Sequence, residues 1–235
     1  MYSDVFCKVY NEFGWNYYPE AFGQQLLLWR EESAPGIASA LDMGCGTGVL
    51  CRLLHEGGLR VRGMDLSPGM IAIAREENPG IPFDVGDMTD YDPGETFHLV
   101  TCTGDAMNHI PELPALGMVM DTVNRCLEPG GYFVFDLLDR REVSTSEPFE
   151  MEFSPTVQVW FQMTQPDPDS VNLCVRVREN GIPQLEENIR ETLHDPNVLC
   201  AMLEQRGLHV LRCAHRLTDR ENDATTWFII ARKGE

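Results

Sequence analysis

The stretch Leu41-Asp42-Met43-Gly44-Cys45-Gly46-Thr47-Gly48 constrains this chain more than any other part of it. The run Ile37–Met43 reads as a strand and Val49–His55 as a helix, so the three glycines fill the turn between them. Glycines there let the backbone turn tightly and approach a ligand with no side chain in the way. The start of the helix also presents unpaired N–H groups to a polar ligand. Alone, the pattern fits a cofactor loop, a dinucleotide site or a simple tight turn.

The segments that follow narrow the choice. Val61–Asp65, Phe83–Gly86, Phe97–Cys102 and Tyr132–Leu138 read as strands, and Pro68–Glu77 and Leu113–Leu127 as helices. This alternation predicts a parallel sheet covered on both faces, and runs such as Tyr132-Phe133-Val134-Phe135 suit strands buried on both sides. Open sheets of this kind bind ligands at the carboxyl ends of their strands. Asp65 ends the second strand, where a carboxylate accepts from both hydroxyls of a ribose; as a bland alternative it caps the helix beginning at Ser67-Pro68. Asp87 follows the third strand in Gly86-Asp87-Met88, where it suits an exocyclic amino group, with Met88 against an aromatic base.

The pattern changes at both margins. Residues 1–35 carry many aromatics, and the spacing of Phe6, Tyr10 and Phe13, then of Phe22, Leu26 and Trp29, predicts one or two cap helices. Residues 149–193 alternate apolar and polar positions, with Asn180-Gly181 as a hairpin signal, and predict an antiparallel insertion of about three strands. The expected division is a helical cap at 1–35, a main domain at 36–148 and 194–235, and the insertion at 149–193. In the last part, Pro196–Arg206 reads as a helix and Leu208–Cys213 and Thr226–Ala231 as strands.

Charge limits the partners. Eighteen basic against 37 acidic side chains leave a net charge of −19, which disfavours a nucleic-acid substrate. The acidity suits a cationic or amine substrate, or serves only solubility. Eight scattered cysteines with no Cys-x-x-Cys pair read as free thiols in a reducing compartment, and no metal site is expected. No apolar run is long enough to span a bilayer and no signal pattern opens the chain, so a soluble, cytoplasmic monomer or homodimer is expected.

Together these motifs resemble the class I S-adenosylmethionine-dependent methyltransferases. Residues 41–48 resemble that family's first motif, Val61-Arg62-Gly63-Met64-Asp65-Leu66-Ser67-Pro68-Gly69-Met70 its second, and Gly86-Asp87-Met88 its third. Leu127-Glu128-Pro129-Gly130-Gly131-Tyr132 resembles the turn before its fifth strand. The resemblance implies an α/β fold: a Rossmann-like, doubly wound, mostly parallel seven-stranded sheet with an antiparallel final strand and an antiparallel β lid insertion. It implies S-adenosyl-L-methionine as cofactor, a small-molecule acceptor with an N or O nucleophile, and contacts from Tyr10, Asp42, Gly44, Cys45, Gly46, Asp65, Leu66, Met70, Asp87, Met88 and Thr103. The segment Asp4–Tyr10 resembles the element that closes over the cofactor in small-molecule enzymes such as amino-sugar and glycine N-methyltransferases. Tyr17, Tyr18 and Trp29 are further aromatic candidates for the cleft, or else they pack the cap.

Two histidines stand out as candidate bases. His109 follows the fourth strand, where the substrate pocket is expected to open; the bland alternative is a packing histidine. His194 sits where the insertion returns, and either reaches the pocket or fixes that junction. Two rival functions fit less of the chain. A nicotinamide-dependent oxidoreductase needs a glycine or alanine at the sixth position of the loop, where Val49 stands. A non-catalytic cofactor-binding module is the other.

Overall fold

The computed structural model describes residues 3, 6–7, 10–12, 14–141, 143, 147–152, 154–217 and 226–235. The expectations placed on Tyr2, Asp4, Val5, Lys8, Val9 and Phe13 lie outside the described residues.

Helix α1 (Tyr17–Ser33) buries Phe22, Leu26 and Trp29, the stripe its spacing predicts. Then come β1 (Ser39–Met43), α2 (Val49–Glu56), β2 (Arg60–Asp65), α3 (Pro68–Glu77), β3 (Phe83–Val85) and β4 (Phe97–Cys102). A single 3-10 turn (Ala106–His109) leads into α4 (Leu113–Cys126) and β5 (Leu127–Leu138). Helix α3 starts where its caps put it: the Ser67 side chain accepts from the Met70 amide, and Pro68 fills the first turn.

Seven strands form one sheet in the order β10-β11-β5-β4-β1-β2-β3, with β10 at Leu208–Ala214 and β11 at Thr226–Lys233. β1 through β5 pair in parallel, while β11 runs antiparallel to both β5 and β10. All five residues of β1 are buried, as a central strand covered on both faces requires. One face packs on α4 and on α5 (Pro196–Glu204), through residues such as Leu116, Val123, Leu199 and Leu203. The other packs on α1, α2 and α3, through Phe22, Leu26, Leu50 and Ile71. The strand order reverses on either side of β1, so a crevice opens at the carboxyl ends of β1, β2 and β4.

Two expectations need correction. β5 begins at Leu127, not Tyr132: Phe97 pairs with Leu127 and Leu99 with Tyr132, so a two-residue step on β4 spans a five-residue step on β5 and Pro129-Gly130-Gly131 bulges within the strand. The insertion holds four strands where the sequence predicts about three: β6 (Phe149–Glu152), β7 (Val157–Asp167), β8 (Ser170–Glu179) and β9 (Ile182–Thr192). β6 is an edge strand of only four residues. Asn180 and Gly181 both take positive φ, 51° and 77°, forming the two-residue hairpin loop expected of them.

This second sheet joins the body through its own apolar cluster, in which Val159, Val175 and Ile189 pack on Phe6, Cys7 and Met70. All eight cysteines are free. Among the described residues no helix is long and apolar enough to cross a membrane.

Candidate active site

A cavity of about 570 Å³ opens at the crevice, within the size range of small-molecule sites. The glycine loop forms its floor. Gly44 has φ 75°, and a Cβ added there would lie 3.0 Å from the Ala106 side chain and 3.6 Å from Met88, so any larger residue intrudes on the cavity wall. Gly48 has φ 82° and would drive a Cβ to 2.9 Å from the Phe83 ring. Glycine at these positions is therefore both a conformational and a packing requirement.

Asp65 organises the loop from β2. Its Oδ2 accepts from the Gly46 amide at 3.0 Å and its Oδ1 from the Ser67 amide at 2.8 Å. A carboxylate offers about four acceptor positions, so acceptor capacity remains for a pair of hydroxyls in the cavity that Asp65 lines. Burial pushes the Asp65 carboxyl up, against those two amides. The helix cap itself is the Ser67 side chain, and Asp65 supports it by accepting from the Ser67 amide.

Asp42 is 2% exposed and accepts from Thr101 Oγ1 at 2.7 Å and from the Cys51 thiol at 3.5 Å. Burial raises its carboxyl to about 7 despite those bonds. Asp87 is exposed at the rim, its Oδ1 accepting from the amide and hydroxyl of Thr89. Leu66 stays 49% exposed beside Met88 and Met70, leaving an apolar wall for a flat ring. Tyr10, Cys45, Gly46 and Thr103 complete the expected set, and all eleven expected cofactor residues line this one cavity.

The histidines part company. His109 lines the cavity, with Nε2 3.9 Å from Glu191 Oε1. Burial lowers His109 and raises Glu191 to about 7. His194 does not line the cavity. It is 8% exposed, and its Nε2 lies 2.9 Å from the Ile110 carbonyl, fixing the junction where the second sheet returns. Among the aromatics, Tyr10 and Tyr18 reach the cavity, Tyr17 is 77% exposed, and Trp29 packs edge-on against Tyr132 in the core.

Several residues here carry no sequence signal. Asp136 is wholly buried on β5; its Oδ1 accepts from the Asp105 amide at 3.0 Å, and its Oδ2 accepts from the Gly104 amide at 3.0 Å and from the Tyr18 hydroxyl at 2.5 Å. That clamp holds Asp105 in the left-handed region, φ 62°. A non-glycine residue there stores about 1–3 kcal/mol and persists because its surroundings impose it, and Asp tolerates it better than most. β9 adds Glu187, Asn188 and Arg190 to the wall, a contribution only long-range folding reveals.

Residues 40–131, which build most of this cavity, match the model of the methyltransferase-domain family, and the sheet order with its reversed β11 is the Rossmann-like fold of such enzymes. Over that span the chain resembles a methyltransferase domain. It is 32% identical over 134 residues, 57% of this chain and 52% of the relative, to dTDP-3-amino-3,6-dideoxy-α-D-glucopyranose N,N-dimethyltransferase of Streptomyces fradiae. To dTDP-4-amino-2,3,4,6-tetradeoxy-D-glucose N,N-dimethyltransferase of Saccharopolyspora spinosa it is 30% identical over 135 residues, 57% of this chain and 53% of the relative. In these matches the chain spans about half the length of the curated relatives. Among solved structures, the amino pentose methyltransferase CalS10 of Micromonospora echinaspora superposes with a TM-score of 0.77 at 22% identity, covering 99% of this chain and 98% of that one. The CcbJ methyltransferase of Streptomyces caelestis gives 0.80 at 20%, covering 98% and 96%. These structural likenesses extend the fold over the second sheet as well.

Proposed function

We propose that the protein is an S-adenosylmethionine-dependent methyltransferase that transfers a methyl group to an N or O nucleophile of a small molecule. The observation that carries this reading is the convergence of Gly44, Asp65, Asp87 and Met88, from three strand ends, on the one cavity that the methyltransferase-domain match spans. The names of the relatives, which act on sugar nucleotides, support a small acceptor.

In this reading Asp65 holds the ribose hydroxyls with the acceptor capacity its two amide bonds leave. Leu66, Met70 and Met88 cover the adenine, Asp87 receives its amino group, and the 44–48 loop lies along the methionine part. Bound there, S-adenosylmethionine supplies an electrophilic sulfonium methyl group for in-line displacement. The second sheet acts as a lid whose strand β9 excludes water above the acceptor. Positioning of this kind accounts for roughly 7–11 kcal/mol of a barrier. His109, kept neutral by burial, takes the acceptor's proton, with Glu191 behind it to share the charge. His194 keeps the lid's root in place.

The test is calorimetric titration with S-adenosylhomocysteine and with NAD, followed by transfer of labelled methyl to a panel of small acceptors. Homocysteine-analogue binding with methyl transfer is expected. Tight NAD binding, or binding without transfer to any acceptor, would overturn the reading.

A further inference from the structure

The cavity wall is unbalanced in charge. Asp42, Asp65 and Asp87, at or just after the ends of β1, β2 and β3, line it together with Asp105, which follows β4, and Glu187 on β9. Arg190 is the one Lys or Arg among the described lining residues, and its Nη2 is turned to Asp167 and Ser170, at 3.1 and 3.3 Å. Glu187 already accepts from the Ser3 amide at 3.4 Å. The Asp105 carboxylate has no hydrogen-bond partner among the described residues, although its backbone is fixed in a conformation that needs outside support.

That support comes from Asp136, which spends both carboxylate oxygens on the Gly104 and Asp105 amides and takes the Tyr18 hydroxyl besides. Burial raises the Asp136 carboxyl, against the three donors that stabilise its charge. Of the two neighbouring acids, Asp105 is therefore the one left without a partner, and burial, Asp136 and Glu191 all push its carboxyl up. A strained, unpaired carboxyl fixed at a cavity wall has the hallmark of a ligand-holding group.

We propose that Asp105, aimed by the Asp136 clamp, is the residue that selects the methyl acceptor, and that the acceptor is an amine held by its N–H groups. The inference rests on the methyltransferase reading above. The amine enters as its ammonium ion, paired with the Asp105 carboxylate, and gives one proton to His109. Its freed lone pair then forms the N–C bond as the S–C bond breaks, the bonding pair leaving on sulfur. Positive charge passes from sulfur to nitrogen, and Asp105 lies where that charge arrives. A hydroxyl acceptor develops no lasting charge and draws little from this carboxylate.

The experiment uses the full chain, with labelled cofactor and matched acceptor pairs: dTDP-3-amino-3,6-dideoxyglucose with dTDP-6-deoxyglucose, glycine with glycolate, and benzylamine with benzyl alcohol. Methyl transfer is expected only to amine members. In Asp105→Asn, which keeps the shape and tolerates the left-handed backbone, KM for the accepted amine is expected to rise about 10- to 100-fold, the worth of a charge-assisted hydrogen bond. S-adenosylhomocysteine affinity should stay within about twofold of the parent, since Asp105 is assigned to the acceptor, not the donor. Asp105→Gly, free of backbone strain, should show the same split if the asparagine variant folds poorly. Transfer to the hydroxyl members, transfer to none, or unchanged amine KM in both variants overturns the amine assignment. Failure of the parent protein to bind S-adenosylhomocysteine overturns the methyltransferase reading itself.

Discussion

At the scale of single residues, the site depends on carboxylates whose roles differ because their partners differ. Asp65 holds the glycine loop through the Gly46 amide and α3 through the Ser67 amide, and still faces the cavity. Asp65→Ala is expected to weaken S-adenosylhomocysteine binding about 10- to 100-fold, the loss of hydrogen bonds to a charged acceptor, with little change in the circular dichroism spectrum. Unchanged affinity in a calorimetric titration would remove the ribose contact from the mechanism. Asp65 was legible in the sequence because its role is local: it ends a strand and precedes a capped helix. Asp136 was not, because its partners Tyr18, Gly104 and Asp105 lie far from it along the chain.

At the scale of elements, Asn108 ties the second sheet to the body through one side-chain bond and braces β5 through another. It is fully buried; its Nδ2 donates to the Thr192 carbonyl at 2.7 Å, and its Oδ1 accepts from the Leu138 amide at 3.2 Å. Asn108→Ala leaves the half-buried Thr192 carbonyl and Leu138 amide without this partner, each costing about 1–3 kcal/mol. A loss of roughly 2–5 kcal/mol in urea unfolding is expected, with faster amide exchange in β9 than in β1. Equal protection of both strands in the variant would show that the apolar contacts of Val159, Val175 and Ile189 hold the sheet unaided. The sequence showed this insertion's antiparallel character through its period-two alternation and its Asn180-Gly181 turn. It hid the fourth strand, which is too short for a period to declare itself.

At the scale of the whole molecule, buried acids make stability depend on pH. Burial raises Asp42 to about 7, against an ordinary value of 3.8. Between about pH 4 and 7 the unfolded chain has released this proton and the folded chain retains it, so the contribution is full at low pH and disappears as pH rises towards 7. At 2% exposure the effect amounts to roughly 4 kcal/mol across that window. Asp42→Asn, which keeps the acceptor for Thr101, is expected to match the parent protein near pH 4 and to melt higher than it near pH 7.5. A constant difference in melting temperature across that range would mean that folding does not raise the Asp42 carboxyl above its unfolded value. Glu191, also raised to about 7 by burial, adds a second term of the same sign.

The eleven residues that meet around one cavity came from the resemblance of the motifs to the methyltransferases; by itself the sequence determined the order of most strands and helices and the parallel character of the sheet. These depend on hydrophobic period, turn chemistry and strand ends, all of which are local. Tertiary structure alone decided which histidine lines the cavity, that β9 adds to its wall, and that Asp136 fixes the backbone of Asp105 beside it. His109 and His194 look alike in sequence because neither has a period or a cap to place it. Only the packing of the second sheet puts one beside Glu191 and the other against the Ile110 carbonyl. Burial, pairing and charge balance are properties of neighbours distant along the chain, and the chemistry of the acceptor side rests on them.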